Sequence, residues 1–422
     1  MLTILFYFLS MTYEKLTFPF VINKDNSSFY ERNIETNMTT NISVGMPRII
    51  VPLTITLRQY PFCITDIHSN VKKGIPKYTP DRSDTFDEVW GATDIDEEGL
   101  FLKGIQVYDN FNFGNENIEF NQFKFILVRN ANKNFSGILG LSMYRNEKMK
   151  IFGFIHQLKK KNIIKNQTFY FNFDDNQLII DDFPHLSYSD KYPEEDYRTT
   201  RTYSSSTSQF FDIMFSNMTY NKTNYHEIDT IVELNIESEL FKGSSNFGKY
   251  LSENYFNQFN CEKTIIMNNY YSFVCNDDKA MNNFKDIDFN LKEEEMTFSL
   301  IKDDLFKKEN EKYFFLMYFN EKEDLIWSLG KNFFIKNMLV FDSDKKVIGY
   351  YFKKNSNKEN QGFVKILLFG SILLVLILGF LLYYHIKNKP RRRRANELED
   401  DNFDYFTNID NKEDNGVTLL NK

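Results

Sequence analysis

Side chains able to do covalent or ligand chemistry are few here and unevenly spread. Three cysteines and five histidines occur in 422 residues. No C-x-x-C pair is among them, so nothing indicates a structural zinc site, which needs a close set of thiolate and imidazole ligands. Cys261 and Cys275 bracket CEKTIIMNNYYSFVC, a loop that a disulfide could close. Such a bridge contributes about 2–4 kcal/mol by restricting the unfolded chain. Cys63 has no evident partner and is expected to be a buried free thiol. N-x-S/T sequons begin at Asn26, Asn37, Asn41, Asn134, Asn166, Asn217 and Asn221, acceptors for N-glycosylation in an exported chain. Disulfide and sequons both suit an oxidising secretory setting. No cofactor and no metal is expected.

The topology that would export these groups is written at the two ends. Residues 366–386, ILLFGSILLVLILGFLLYYHI, form an uncharged run, long enough for a hydrocarbon core of about 30 Å. Tyr383 and Tyr384 suit the interface, and Lys387, Lys389 and Arg391 to Arg394 follow, which places the C-terminus in the cytosol. Every sequon precedes this run. At the other end, Leu2 to Ser10 could be the apolar core of a signal peptide, although it is short and lacks a basic flank. These features imply a single-pass protein of the secretory or endolysosomal system or the cell surface, with its larger part lumenal or extracellular. The net charge of −7, with no basic face before residue 387, argues against nucleic acid as a partner. The 17% aromatic content, with 44 Phe and 25 Tyr, is as readily a compositional bias as a functional one.

Between these ends strand signals dominate. Arg48 to Leu57, Lys124 to Val128, Phe169 to Phe173 and Gln177 to Asp181 are β-branched and aromatic runs bounded by Asn, Asp or Gly. Helical periodicity is confined to Ile151 to Ile164 and Asn246 to Phe256. The protein is therefore expected to be mainly β. The polar stretch 187–209 reads as an exposed connector between a first lobe at 44–186 and a second at 210–352. Residues 1–20 are the signal-like start, 353–362 a polar stalk, 363–386 the membrane helix and 387–422 an acidic tail.

Two segments suggest that the lobes are copies of one architecture. GILGLS (Gly137 to Ser142) and WSLGKNFFIKNMLVFDSDKKVIGYY (Trp327 to Tyr351) each carry a hydrophobic-hydrophobic-glycine step. The second resembles the closing segment of the pepsin-like aspartic peptidases, in which the glycine lets one strand pass closely behind the loop presenting a catalytic Asp. Other stretches are similar to that family in order and spacing. LIIDDFPH (Leu178 to His185) looks like the strand ending the first lobe, with Asp181 and Asp182 where glycines usually sit. WGATDIDEEGLFLKGIQV looks like the flap hairpin, with Trp90 and Gly91 at the usual Tyr-Gly. FFDIMFSNMTYN resembles the opening of the second lobe. The resemblance implies a bilobal pepsin-like fold with pseudo-twofold lobes, here with one C-terminal transmembrane helix, and a second-lobe disulfide where Cys261 and Cys275 stand.

The resemblance also implies where the reaction would occur. Aspartic peptidases share one proton between two close carboxyls that activate a water, each Asp lying in a D-T/S-G turn. In the first lobe, FCITDIHSNV aligned on Ser69-Asn70 puts Thr65 in the acid slot; a one-residue deletion makes Asp66 the acid, followed by Ile67 and His68. In the second, TIVELNIESELF puts Glu233, Leu234 and Asn235 in the Asp, Thr and Gly slots, with Asp229 a displaced candidate. The candidate dyad is thus Asp66 with Glu233. Both turns are altered: Leu234 supplies no hydroxyl, Ile67 resists the positive φ glycine tolerates, and a misplacement near 1 Å costs roughly 100-fold in rate. Two readings follow. One is a catalytically degenerate ectodomain that binds a peptide or protein between its lobes. The other is a membrane-tethered acid endopeptidase. A surface β protein with an accidental likeness is a third, and a lack of pseudo-twofold symmetry would favour it.

Overall fold

Residues 15–351 are described in the computed structural model, short of 24–27, 35, 59–60, 98–99, 114–118, 144–152, 204–210, 227–228, 267–268, 293–295 and 323, together with 376–385 and 387. The chain divides into two units, Met1–Phe352 and Lys353–Lys422. In the second unit residues 376–385 are helical and exposed. Among the described residues no helix is long and apolar enough to cross a membrane. The rest of the expected span, the stalk, the tail beyond 387, Leu2 to Ser10 and Asn26 lie outside the described residues.

The first unit is built on three sheets among the described residues. The strands expected from the sequence are present as Ile49–Thr56, Glu119–Ala131, Thr168–Asn172 and Gln177–Ile180, and the helices as Phe154–Lys160 and Ser245–Asn254. A six-stranded sheet runs in the order Leu16–Pro19, Gln177–Ile180, Thr168–Asn172, Leu339–Asp342, Val347–Tyr351 and Tyr197–Arg201. Its two halves match: each is a hairpin ending one lobe, flanked by a strand that precedes that lobe in the chain. Where they meet, Phe169 pairs with Phe341 across antiparallel strands, their rings stacked at 4.9 Å.

Two expectations change here. The signal-like start spans residues 1–20 by sequence, yet Leu16–Pro19 pairs with Gln177–Ile180 and Leu16, Phe18 and Phe20 are buried. Their alternation is that of a strand with one face inward. Likewise, the polar connector is not wholly exposed: Tyr197–Arg201 pairs with Val347–Tyr351. Thr200 and Tyr192 are buried, Tyr192 in an aromatic cluster with Tyr351 and Tyr170 on the sheet's outer face. Composition hid this strand, because its outward residues are Arg and Thr.

Each lobe hangs from this sheet. In the first, an eight-stranded sheet places Gly137–Gly140 between Ile49–Thr56, to which it is parallel, and Phe62–Thr65, to which it is antiparallel. In the second, Trp327–Leu329 lies between Thr230–Leu234, parallel, and Phe241–Gly243, antiparallel. The two hydrophobic-hydrophobic-glycine steps therefore occupy equivalent places. A Cβ at Gly330 would run into the carbonyl oxygens of Ser238 and Leu240, so only glycine allows this crossing. Phenylalanine fills both interiors; in the first lobe Phe62, Phe111, Phe113, Phe125 and Phe154 meet at centroid separations of 4.8–6.0 Å. Such pairs add about 0.5–1.5 kcal/mol each beyond their buried area.

Candidate functional site

The turn leaving each strand that runs parallel to a glycine step is where the lobes face each other. In the first lobe that strand ends at Thr56, opposite Gly140. In the second, Leu234 is opposite Leu329, and Asn235 continues the register, its N–H donating to the Leu329 carbonyl at 3.0 Å. The two turns have the same local construction. The Thr56 hydroxyl accepts the Arg58 N–H at 3.0 Å, and the Asn235 side-chain oxygen accepts the Glu237 N–H at 2.9 Å. Each is a side-chain-to-backbone turn two residues long, the geometry that Asp, Asn, Ser and Thr share.

Thr56-Leu57-Arg58 and Asn235-Ile236-Glu237 are thus related by the pseudo-twofold. They are bound directly: the Thr56 hydroxyl donates to the Glu237 carboxylate. Leu57 and Ile236 are both buried in the main core, so apolar packing stands where a hydroxyl would otherwise tie the loops. Arg58 extends the contact between lobes. Its guanidinium lies 2.9 Å from Asp212 and 3.1 Å from Glu233, with the Asp212 side chain only 5% exposed. The second turn is braced from behind by Lys331, which follows the glycine step and meets Glu239 at 2.7 Å. From the side, Thr36 donates its N–H to the Glu237 carbonyl at 2.7 Å.

The acids singled out from sequence sit elsewhere or play other parts. Asp66 follows the strand Phe62–Thr65, one strand later than the turn at Thr56. It is buried, accepts the His68 N–H at 3.0 Å and meets Arg129 at 3.5 Å. Thr65 beside it donates to the Phe135 carbonyl at 2.7 Å. All of these partners belong to the first lobe. Glu233 lies within Thr230–Leu234, two residues before Asn235. Asp229 is an exposed partner of Lys292. Among the described residues no hydrogen bond or ion pair joins Asp66 to Glu233 or to Asp229. Aligning on Ser69-Asn70 moves the first-lobe motif past a whole strand, and aligning on Glu233 places the second two residues early.

Trp90 lies in the strand Asp87–Glu97, which with Leu100–Phe113 forms the expected hairpin, and a register shift between Val89 and Ala92 spans Trp90 and Gly91. Cys261 and Cys275 are bonded. Cys63 is a buried free thiol whose pKa burial pushes up to about 12. Among the described residues no cluster of His, Cys, Asp and Glu could hold a metal ion. Sequence reasoning missed Thr56, Arg58, Asp212 and Glu237, and named Asn235 only as the occupant of the glycine slot. The usable signal was the strand Ile49–Thr56 itself, whose end marks the turn even though no acid is there.

Comparison with known proteins agrees with this architecture. No curated protein matches the chain. The sequence model described as eukaryotic aspartyl protease matches residues 63–351, well over half of the chain. With the duplicated crossing strands and the sheet shared between lobes, this chain belongs to the eukaryotic aspartyl protease family.

Proposed function

We propose that the protein is a catalytically inert aspartic peptidase-type domain that binds a peptide or another protein in the groove between its lobes. In this reading a single helix over residues 366–386 tethers it to a membrane of the secretory or endolysosomal system or the cell surface. The ligand-binding part then faces the lumen or exterior and the C-terminus the cytosol. The observation that carries the reading is the pair of turns joined by Thr56 and Glu237, with Thr56 and Asn235 at the two symmetry-related turn positions. Peptide hydrolysis by this family needs one ionised and one protonated carboxyl sharing a proton over a bound water. A threonine hydroxyl does not ionise in the working range and an asparagine amide has no acidic proton to exchange, so neither can replace that dyad. Arg58 sets a fixed positive charge 2.9 Å from Asp212 and 3.1 Å from Glu233.

One observation favours the alternative, a membrane-tethered endopeptidase working at acidic pH: Glu237 brings a carboxylate to the contact between the turns. The two readings separate in titration calorimetry of the purified protein with a statine-type inhibitor, which mimics the hydrated peptide bond. The inert reading predicts no tight binding at acidic or neutral pH and no strengthening of any weak binding as pH falls. Tight binding that strengthens as pH falls, and is lost in Glu237→Gln or Asp66→Ala, overturns it.

A further inference from the structure

We propose that an N-linked glycan on Asn41 covers a groove, part apolar and part polar, on the outer face of the first lobe. The strands Val21–Asn23, Asn37–Val44 and Ile49–Thr56 lie side by side there, with Val21 opposite Thr39 and Ser43 opposite Ile50. Val21 is 60% and Ile50 65% exposed, two aliphatic side chains open to solvent on the strands that flank Asn37–Val44. They line a groove of about 280 Å³ together with Thr39, Asn41 and Ser43. Asn41 and Ser43 are the first and third residues of the sequon Asn41-Ile42-Ser43. The strand's alternation turns Ile42 inward, where it is 1% exposed, and leaves Asn41 outward. The groove's mixture of two aliphatic chains and several hydroxyl and amide groups suits a sugar ring, which has one apolar face and a polar rim.

Of the other sequons with described residues, Asn221 is exposed in a turn but does not line the groove, and three have the asparagine side chain already hydrogen-bonded. The Asn166 amide donates to Asp181 at 3.1 Å. The Asn134 side-chain oxygen accepts the Lys72 N–H at 3.0 Å. Asn217 is half-buried within the strand Ile213–Tyr220, and its oxygen accepts from Asn290. Asn37 is exposed on the same strand as Asn41 but does not line the groove. Transfer joins the Asn41 amide nitrogen to the anomeric carbon of an oligosaccharide carried on a lipid pyrophosphate. The sugar–phosphate bond breaks, the lipid pyrophosphate leaves with the bonding pair, and the amide proton passes to a base of the host transferase.

The inference rests on entry into the secretory pathway, so the full chain is expressed in a eukaryotic host both as it stands and with a host leader ahead of Met1. Enzymatic release of N-glycans in heavy-oxygen water marks each occupied Asn as labelled Asp. The expected result with the leader is label at Asn41 and none at Asn217, and loss of one glycan's mass in both Asn41→Gln and Ser43→Ala. Label that appears only with the added leader shows that Leu2 to Ser10 does not itself direct export, while leaving the site intact. An apolar fluorescent dye should bind the folded Asn41→Gln protein more than wild type, and the gain should vanish when Val21→Thr and Ile50→Thr are added. Absence of label at Asn41, or dye binding unchanged by loss of its glycan, overturns the proposal.

Discussion

Arg58 shows how a single side chain ties the two lobes together at this site. It stands in a turn whose equivalent in the other lobe carries Glu237, and its guanidinium is committed to Asp212 and Glu233. Because the Asp212 side chain is nearly buried, Arg58→Leu should cost about 3–5 kcal/mol, the usual penalty for breaking a buried pair from one side. Urea unfolding checks this, and Asp212→Leu in the same background should recover part of the loss. Cys63 offers a second residue-level outcome. With its thiol pKa raised to about 12 by burial, thiolate is scarce at neutral pH; a thiol reagent should leave it unmodified in the native protein and label it after denaturation. Some residues were readable in advance. Asp181, in a glycine position by resemblance, adopts φ +63°, and its carboxylate holds the Lys165 and Asn166 N–H groups at 2.7 and 2.9 Å, which offsets the left-handed strain. Arg58 and Glu237 were not readable, since nothing in a lone Arg or Glu marks the turn it stands in.

Among elements, the strand Leu16–Pro19 departs furthest from what hydropathy suggested. Its Phe18 is 1% exposed and packs edge-on against Phe113 and Phe154. Phe18→Ala should therefore cost about 3–5 kcal/mol, measured by denaturant unfolding; a surface leader segment would show almost none. A hydrophobic stretch near a terminus reads alike as leader or strand, and only the partner Gln177–Ile180 distinguishes them. The same limit moved the first-lobe turn by one strand, because register depends on pairing and not on the strand's own composition. A further element, the segment before Trp327, is pinned by Asp324, which receives Lys242 at 2.7 Å and the Ile326 N–H at 2.9 Å. Burial pulls this carboxyl upward, but the Lys242 ammonium and the Ile326 N–H outweigh it and hold its pKa below the usual range. A depressed carboxyl stabilises the fold above its unfolded pKa and ceases to as pH falls through the folded value. Asp324→Asn should therefore be less stable than wild type at neutral pH, with the gap closing below about pH 4, as thermal melts across pH would report.

At the scale of the whole molecule, two strands of the shared sheet read as leader and connector, but the duplicated lobes and the crossing glycines were legible because each leaves a patterned stretch of sequence. The contact between the lobes was not, being made by side chains from distant segments that no local pattern connects. The protein retains the framework of an aspartic peptidase, and in the proposed reading Thr56, Asn235, Arg58 and Glu237 stand where two acids would share a proton. The most direct measurement is mass-spectrometric detection of cleavage in a diverse peptide mixture incubated with the purified protein from strongly acidic to neutral pH. No cleavage above that of a heat-denatured control is predicted at any pH. New termini that a statine-type inhibitor suppresses, and that disappear in Glu237→Gln, would contradict the account.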